Sequence, residues 1–157
     1  MLQTGDSAVQ GRRDWMGLLA RAPLALLEAW LLRASESGRL PVRSWLRRPE
    51  TGLVMVRSRI GGSGERFNVG EMTVTRCALR TASGEVGVAY IQGRSHRKAE
   101  LAALADALLQ SPEWSETVMR RLVNPLRAHL ATEGERVRRK AQATRVEFFT
   151  LAREAGE

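Results

Sequence analysis

The sequence predicts a single α+β domain, and two observations carry that prediction. Apolar residues recur at helical spacing near both ends of the 157-residue chain, and between them, from Leu40 to Gln92, the period changes to two. Punctuating residues divide the middle stretch into candidate strands at 41–48, 52–60, 71–81 and 84–92, separated by Pro49-Glu50, a glycine-dense loop and Ala82-Ser83-Gly84. A four-stranded antiparallel meander is the simplest arrangement of these segments.

In chain order, residues 1–10 are expected to be disordered, and the domain to occupy 11–157. Trp15, Leu18 and Leu19 mark one helix over 12–19. Leu24, Leu27, Leu31 and Leu32 mark a second over 24–33, with Pro23 near its first turn, where the missing N–H costs least. After the strands, helical spacing returns at Arg94. Leu101, Leu104, Ala105 and Leu108 form a stripe suited to covering one face of the sheet. Ser111-Pro112-Glu113-Trp114 opens a short helix that Asn124-Pro125 is expected to break. A long helix over about 130–154 closes the chain, with Val137, Ala141, Thr144, Phe148 and Leu151 along one side.

Composition narrows the function. The formal net charge is +8, and Arg outnumbers Lys 23 to 2, which favours bidentate contacts to phosphate or carboxylate. A solvated arginine-rich surface fits the same count. The single cysteine, Cys77, excludes an internal disulfide. The start Met1-Leu2-Gln3-Thr4-Gly5-Asp6 lacks a basic then apolar leader, and there is too little apolar length for a membrane span. Both facts suit a reducing cytoplasm. Charge alone suggests a nucleic-acid-binding module, but no helix-turn-helix or aromatic sheet platform is visible, and Tyr90 alone is a poor stacking surface.

The most informative segment runs from Glu50 through Gly61-Gly62-Ser63-Gly64-Glu65-Arg66-Phe67. Gly61, Gly62 and Gly64 permit φ > 0 and close approach by another group, and their amides with Arg66 suit an anion. A plain hairpin turn also fits. The phosphate-loop fingerprint is absent, since neither Gly-Lys-Ser/Thr nor a helix follows. A second anion candidate is the start of the third helix, where Ser95 caps free amides beside Arg94, His96, Arg97 and Lys98. An ordinary charged first turn reads the same way. Strand alternation places Arg57 with Arg59, and Arg76 with Arg80, on single faces opposite Val54, Val56, Ile60, Cys77 and Leu79. Such a face is expected to meet carboxylates or phosphates. Adjacent Phe148 and Phe149 diverge by about 100° on a helix. One is thus expected in the core, and Phe149 with Arg145 at a partner. His96 and His129 are too isolated for a metal set, and no nucleophile–base arrangement or paired carboxylates are apparent.

These residues resemble a known family, the G subunit of the carbon-phosphorus lyase core complex of bacterial phosphonate breakdown. The resemblance rests on Trp15-Met16, Glu50-Thr51-Gly52-Leu53-Val54, the 61–67 loop, Gly70 with Thr73-Val74-Thr75-Arg76, and Gln92-Gly93-Arg94. It continues through Ala99-Glu100, Ala103, Asp106-Ala107-Leu108 and Thr144-Arg145-Val146-Glu147-Phe148-Phe149-Thr150. It implies an accessory subunit, not catalytic alone, in moving the ribose triphosphate of ATP onto an alkylphosphonate with loss of adenine. ATP is then a substrate of the complex, and this subunit binds no cofactor by itself. The implied partners are the H, I, J and L subunits, the I subunit being the catalytic component and the expected direct contact. Family members often carry His at the position of Lys98, so a cationic contact survives there and an imidazole role does not. A freestanding ATP-dependent transferase, with Arg66 and Arg94 on the triphosphate, is the rival enzyme reading.

Overall fold

A computed structural model of the chain describes residues 3–36, 41 and 43–145, with 3–9 and 36 by backbone alone. Two helices, α1 (Gln3–Arg21) and α2 (Leu24–Glu36), lead into strands β1 (Arg43–Arg59), β2 (Arg66–Thr81) and β3 (Val86–Gln92). Helices α3 (His96–Gln110), α4 (Ser115–Val118) and α5 (Asn124–Ala143) follow. The fold is α+β, and the sheet is a three-stranded antiparallel meander in the order β1-β2-β3.

The expected four strands are three because Pro49-Glu50 does not end a strand. β1 continues through it, with register shifts between Trp45 and Arg47 and between Arg47 and Glu50. Proline has no ladder donor, and here it falls where the ladder is already interrupted, on an edge strand. The expected break at Asn124-Pro125 is likewise absent. A π turn at Met119–Val123 runs directly into α5, with Pro125 in its first turn. The wider turn relieves the clash of the proline ring with the carbonyl four residues earlier. α5 ends at Ala143, short of the expected 154, and residues 146–154 lie outside the described residues.

The core is organised around α3. A stripe was expected on this helix, yet every residue from Leu101 to Leu109 is buried, because the sheet covers one side and α1, α2 and α4 the other. Its alanines at 99, 102, 103, 105 and 107 let neighbours come close. The closest approach is at Gly87 of β3, where an added Cβ would lie 1.9 Å from the Ala103 carbonyl oxygen. Leu19, Leu27, Leu79, Ile91 and Leu126 pack around the helix and are fully buried, each contributing about 1.5–3 kcal/mol by transfer from water.

One buried carboxylate ties three elements together. Asp106 of α3 accepts from Arg12 Nε (3.2 Å) and Nη2 (2.7 Å), Trp15 Nε1 (2.9 Å) and the Val88 amide (2.9 Å). Four donors saturate the carboxylate, which explains how it is tolerated with no solvent exposure.

Candidate functional site

β1 has 17 residues and β2 16, but β3 only 7. β3 pairs with β2 over Val74–Arg80 alone, so residues 52–59 and 66–73 project as a two-stranded arm. The helix cover ends near the same place, since His96 at the start of α3 lies 3.1 Å from Thr51 through Nε2 and Oγ1. Thr51 Oγ1 is 3.2 Å from Thr75 Oγ1, which donates to the Gly93 carbonyl at 2.7 Å. This hydroxyl chain fastens the root of the arm to the start of α3.

The arm tip is the glycine loop. Gly61 and Gly62 take φ of 59° and 80°, a left-handed pair that glycine adopts without a Cβ penalty. The Gly64 amide donates to the Ile60 carbonyl at 3.0 Å, and Arg59 Nη1 donates to the Gly64 carbonyl at 3.0 Å. A Cβ on Gly64 would lie 2.8 Å from that Ile60 oxygen. The turn is therefore a built hairpin. Beside it, Arg57, Ser58, Arg59, Gly62 and Arg66 line an open cleft. No carboxylate lies within ion-pair distance of Arg57, Arg59 or Arg66 among the described residues.

The four strand arginines separate into two groups. Val69 is the extra residue of a bulge in β2, because Val56 is opposite Gly70 and Arg57 opposite Asn68. β1 alternates without interruption from Glu50 to Arg59. Arg57 and Arg59 thus continue the face of Thr51, Leu53 and Met55, which is the α3 side of the sheet. Arg76 and Arg80 lie on the opposite, open face. There Arg76 Nε and Arg47 Nη1 each meet Glu50 Oε1 at 2.7 Å. Those two hydrogen bonds, Arg47 first, hold the Glu50 carboxyl below its ordinary pKa.

The second anion candidate stands apart from the tip. Ser95 caps α3, accepting from the Lys98 amide at 3.2 Å, and Gly93 turns the chain with φ of 94°. Arg97 is engaged by Glu100 at 3.2 Å and Glu28 at 3.9 Å, leaving Arg94 exposed and Lys98 half-buried. Burial lowers the Lys98 pKa by desolvating the ammonium. From Thr51 to the tip is eight residues of strand, roughly 26 Å, so Arg66 and Arg94 cannot grip one phosphate group. Arg145 is exposed just beyond α5, and Phe148 and Phe149 lie outside the described residues.

Sequence reasoning missed the exposure of the arm. Leu53 and Met55 are 61% and 49% exposed, and Ile60, expected on the buried side with Val54 and Val56, is 73% exposed. Phe67 and Val69 are exposed as well, while Val54, Val56 and Met72 are half-buried. The signal was present in Leu53-Val54-Met55-Val56, a run apolar on both strand faces where a sheet with one wet face would alternate. Among the described residues no group of three His, Cys, Asp or Glu side chains could hold a metal, and no single helix is long and apolar enough to cross a membrane.

Two comparisons with known proteins bear on this geometry. The profile of the phosphonate metabolism protein PhnG family matches residues 10–154. The chain is also 44% identical to the alpha-D-ribose 1-methylphosphonate 5-triphosphate synthase subunit PhnG of Rhizobium meliloti (strain 1021), over 149 residues covering 94% of this chain and 92% of that relative.

Proposed function

Since this chain belongs to the phosphonate metabolism protein PhnG family, we propose that it is an accessory subunit of a ribose 1-methylphosphonate 5-triphosphate synthase. With its partner subunits it moves the ribose triphosphate of ATP onto an alkylphosphonate, releasing adenine, in the cytoplasm. ATP is a substrate of that complex, and this subunit holds no cofactor by itself. The I subunit is its direct partner, with H, J and L belonging to the same system.

The observation that carries this reading is the separation of the cations suited to anions. The arm tip and the start of α3 each present unpaired positive charge at the surface, and neither closes around a substrate. Such surfaces complete a site only against another chain. A subunit of this kind acts by holding a partner's groups in productive geometry, where small misplacements are costly in rate.

Reconstitution tests the proposal. The H, I and L subunits with ATP and methylphosphonate should release adenine only when this chain is added, and this chain alone should release none. Arg66→Ala or Arg94→Ala should slow the complete system without lowering the melting temperature. Adenine release by the purified chain alone would replace the accessory role with a freestanding transferase.

A further inference from the structure

The α3 side of the β1–β2 ribbon has two successive parts beyond Thr51. Leu53 and Met55 come first, opposite Thr73 and Glu71, and Arg57 and Arg59 follow, opposite Asn68 and Arg66. In the body of the sheet the same face is covered by α3. Beyond the start of that helix it has no cover among the described residues, and large apolar side chains stand in water next to three guanidiniums without carboxylates.

We propose that the arm of residues 52–59 and 66–73 seats this chain on its partner subunit, along a segment that is apolar against Leu53 and Met55 and carries carboxylates for Arg57, Arg59 and Arg66. This rests on the subunit role proposed above and assigns its docking surface. Charge selects the occupant. A second copy would set an identical arginine tip and a net charge of +8 against the first, whereas a carboxylate-bearing segment offers each guanidinium a fork of acceptors. The sequence of apolar then basic along one face also fixes the direction in which such a segment lies. Glu71, opposite Met55, adds a charge that repels a carboxylate placed too near the root. An isolated two-stranded ribbon is marginal in water, so burial by a partner stabilises the arm as well as the complex.

The test uses the full chain and the purified I subunit, with binding measured by titration at low and high salt. The double change Leu53→Ser with Met55→Ser should weaken binding about tenfold or more, as should Arg57→Glu with Arg59→Glu and Arg66→Glu. Only the second should abolish the salt dependence. Val137→Ser, an exposed apolar position on α5, should bind as wild type with an unchanged melting temperature. In the wild-type complex, amide exchange over 52–59 and 66–73 should slow relative to the free chain. Wild-type binding by both arm variants, or unprotected arm amides in a formed complex, would overturn the docking surface and leave the subunit role standing. Failure of the wild-type chain to bind the I subunit would overturn the partner assignment itself. Self-association that the arm variants abolish would give the surface to a second copy.

Discussion

Between Arg43 and Thr51 the β1–β2 ribbon is backed by α3, and its β2 strand is flanked by β3; from Val54 to Arg59 it has neither. The β1–β2 ladder runs through both halves with bulges in each, so that ladder does not distinguish them. What differs is burial. Cys77 and Leu79 in the body are sealed, while Leu53 and Met55 in the arm stay wet. Pairing sets the shape of a ribbon, and apolar cover sets its stability. One hairpin can therefore serve as core at its root and as a contact surface at its end.

The sharpest way to break the contrast is in the body. Asp106→Ala should cost about 3–5 kcal/mol, because it leaves the Arg12 guanidinium, the Trp15 N–H and the Val88 amide without their shared acceptor. Thermal or denaturant unfolding of the isolated chain would measure it. A loss near zero would mean that the α1–α3 junction is not part of the cooperative core. In the arm, Leu53→Ala should shift the same unfolding transition by less than about 0.5 kcal/mol, since the side chain is already in water. A large loss there would show that the arm folds back onto the body.

The smallest effect is at the boundary, where Glu50 pairs across the strands with Arg76. Its lowered pKa means that the pair contributes stability above the ordinary carboxylate value of 4.5 and loses it as pH falls through the folded-state value. Arg76→Gln should move the Glu50 titration upward, toward 4.5, in a carboxyl-resolved NMR titration. No movement would mean that Arg47 alone holds the carboxylate.

Much of the body was legible in the sequence because local pattern and packing agree there. The Leu101–Leu108 stripe, the Trp15–Leu19 and Leu24–Leu32 spacing, and the alternation through Cys77 and Leu79 all lead to the elements observed, although Leu32 is exposed. The family was legible as well, through the glycine loop and the blocks around it, and the matched profile is the same family. Pro49 and Pro125 misled for one reason. Proline forbids a specific hydrogen bond, and whether that bond is needed depends on a bulge or a π turn that local sequence does not announce. The role of Asp106 required knowing that α1 and β3 both reach this residue of α3, which is tertiary information. Likewise, the arginines at 57, 59, 76 and 80 share a face only if both strands count evenly, and β2 does not.

That uneven count has a consequence for how the hairpin tolerates change. Val69 carries no charge, yet as the supernumerary residue it lets Arg66 pair beside Arg59 at the tip while Arg76 pairs with Glu50 at the root. Exchanging its side chain would leave this arrangement in place, and deleting the residue would only straighten the strand, because Gly70 would stay opposite Val56 and Asn68 opposite Arg57, with Arg66 still beside Arg59. At position 69 both the spelling and the residue itself are nearly free, while the pairs on either side of it are what the hairpin holds fixed.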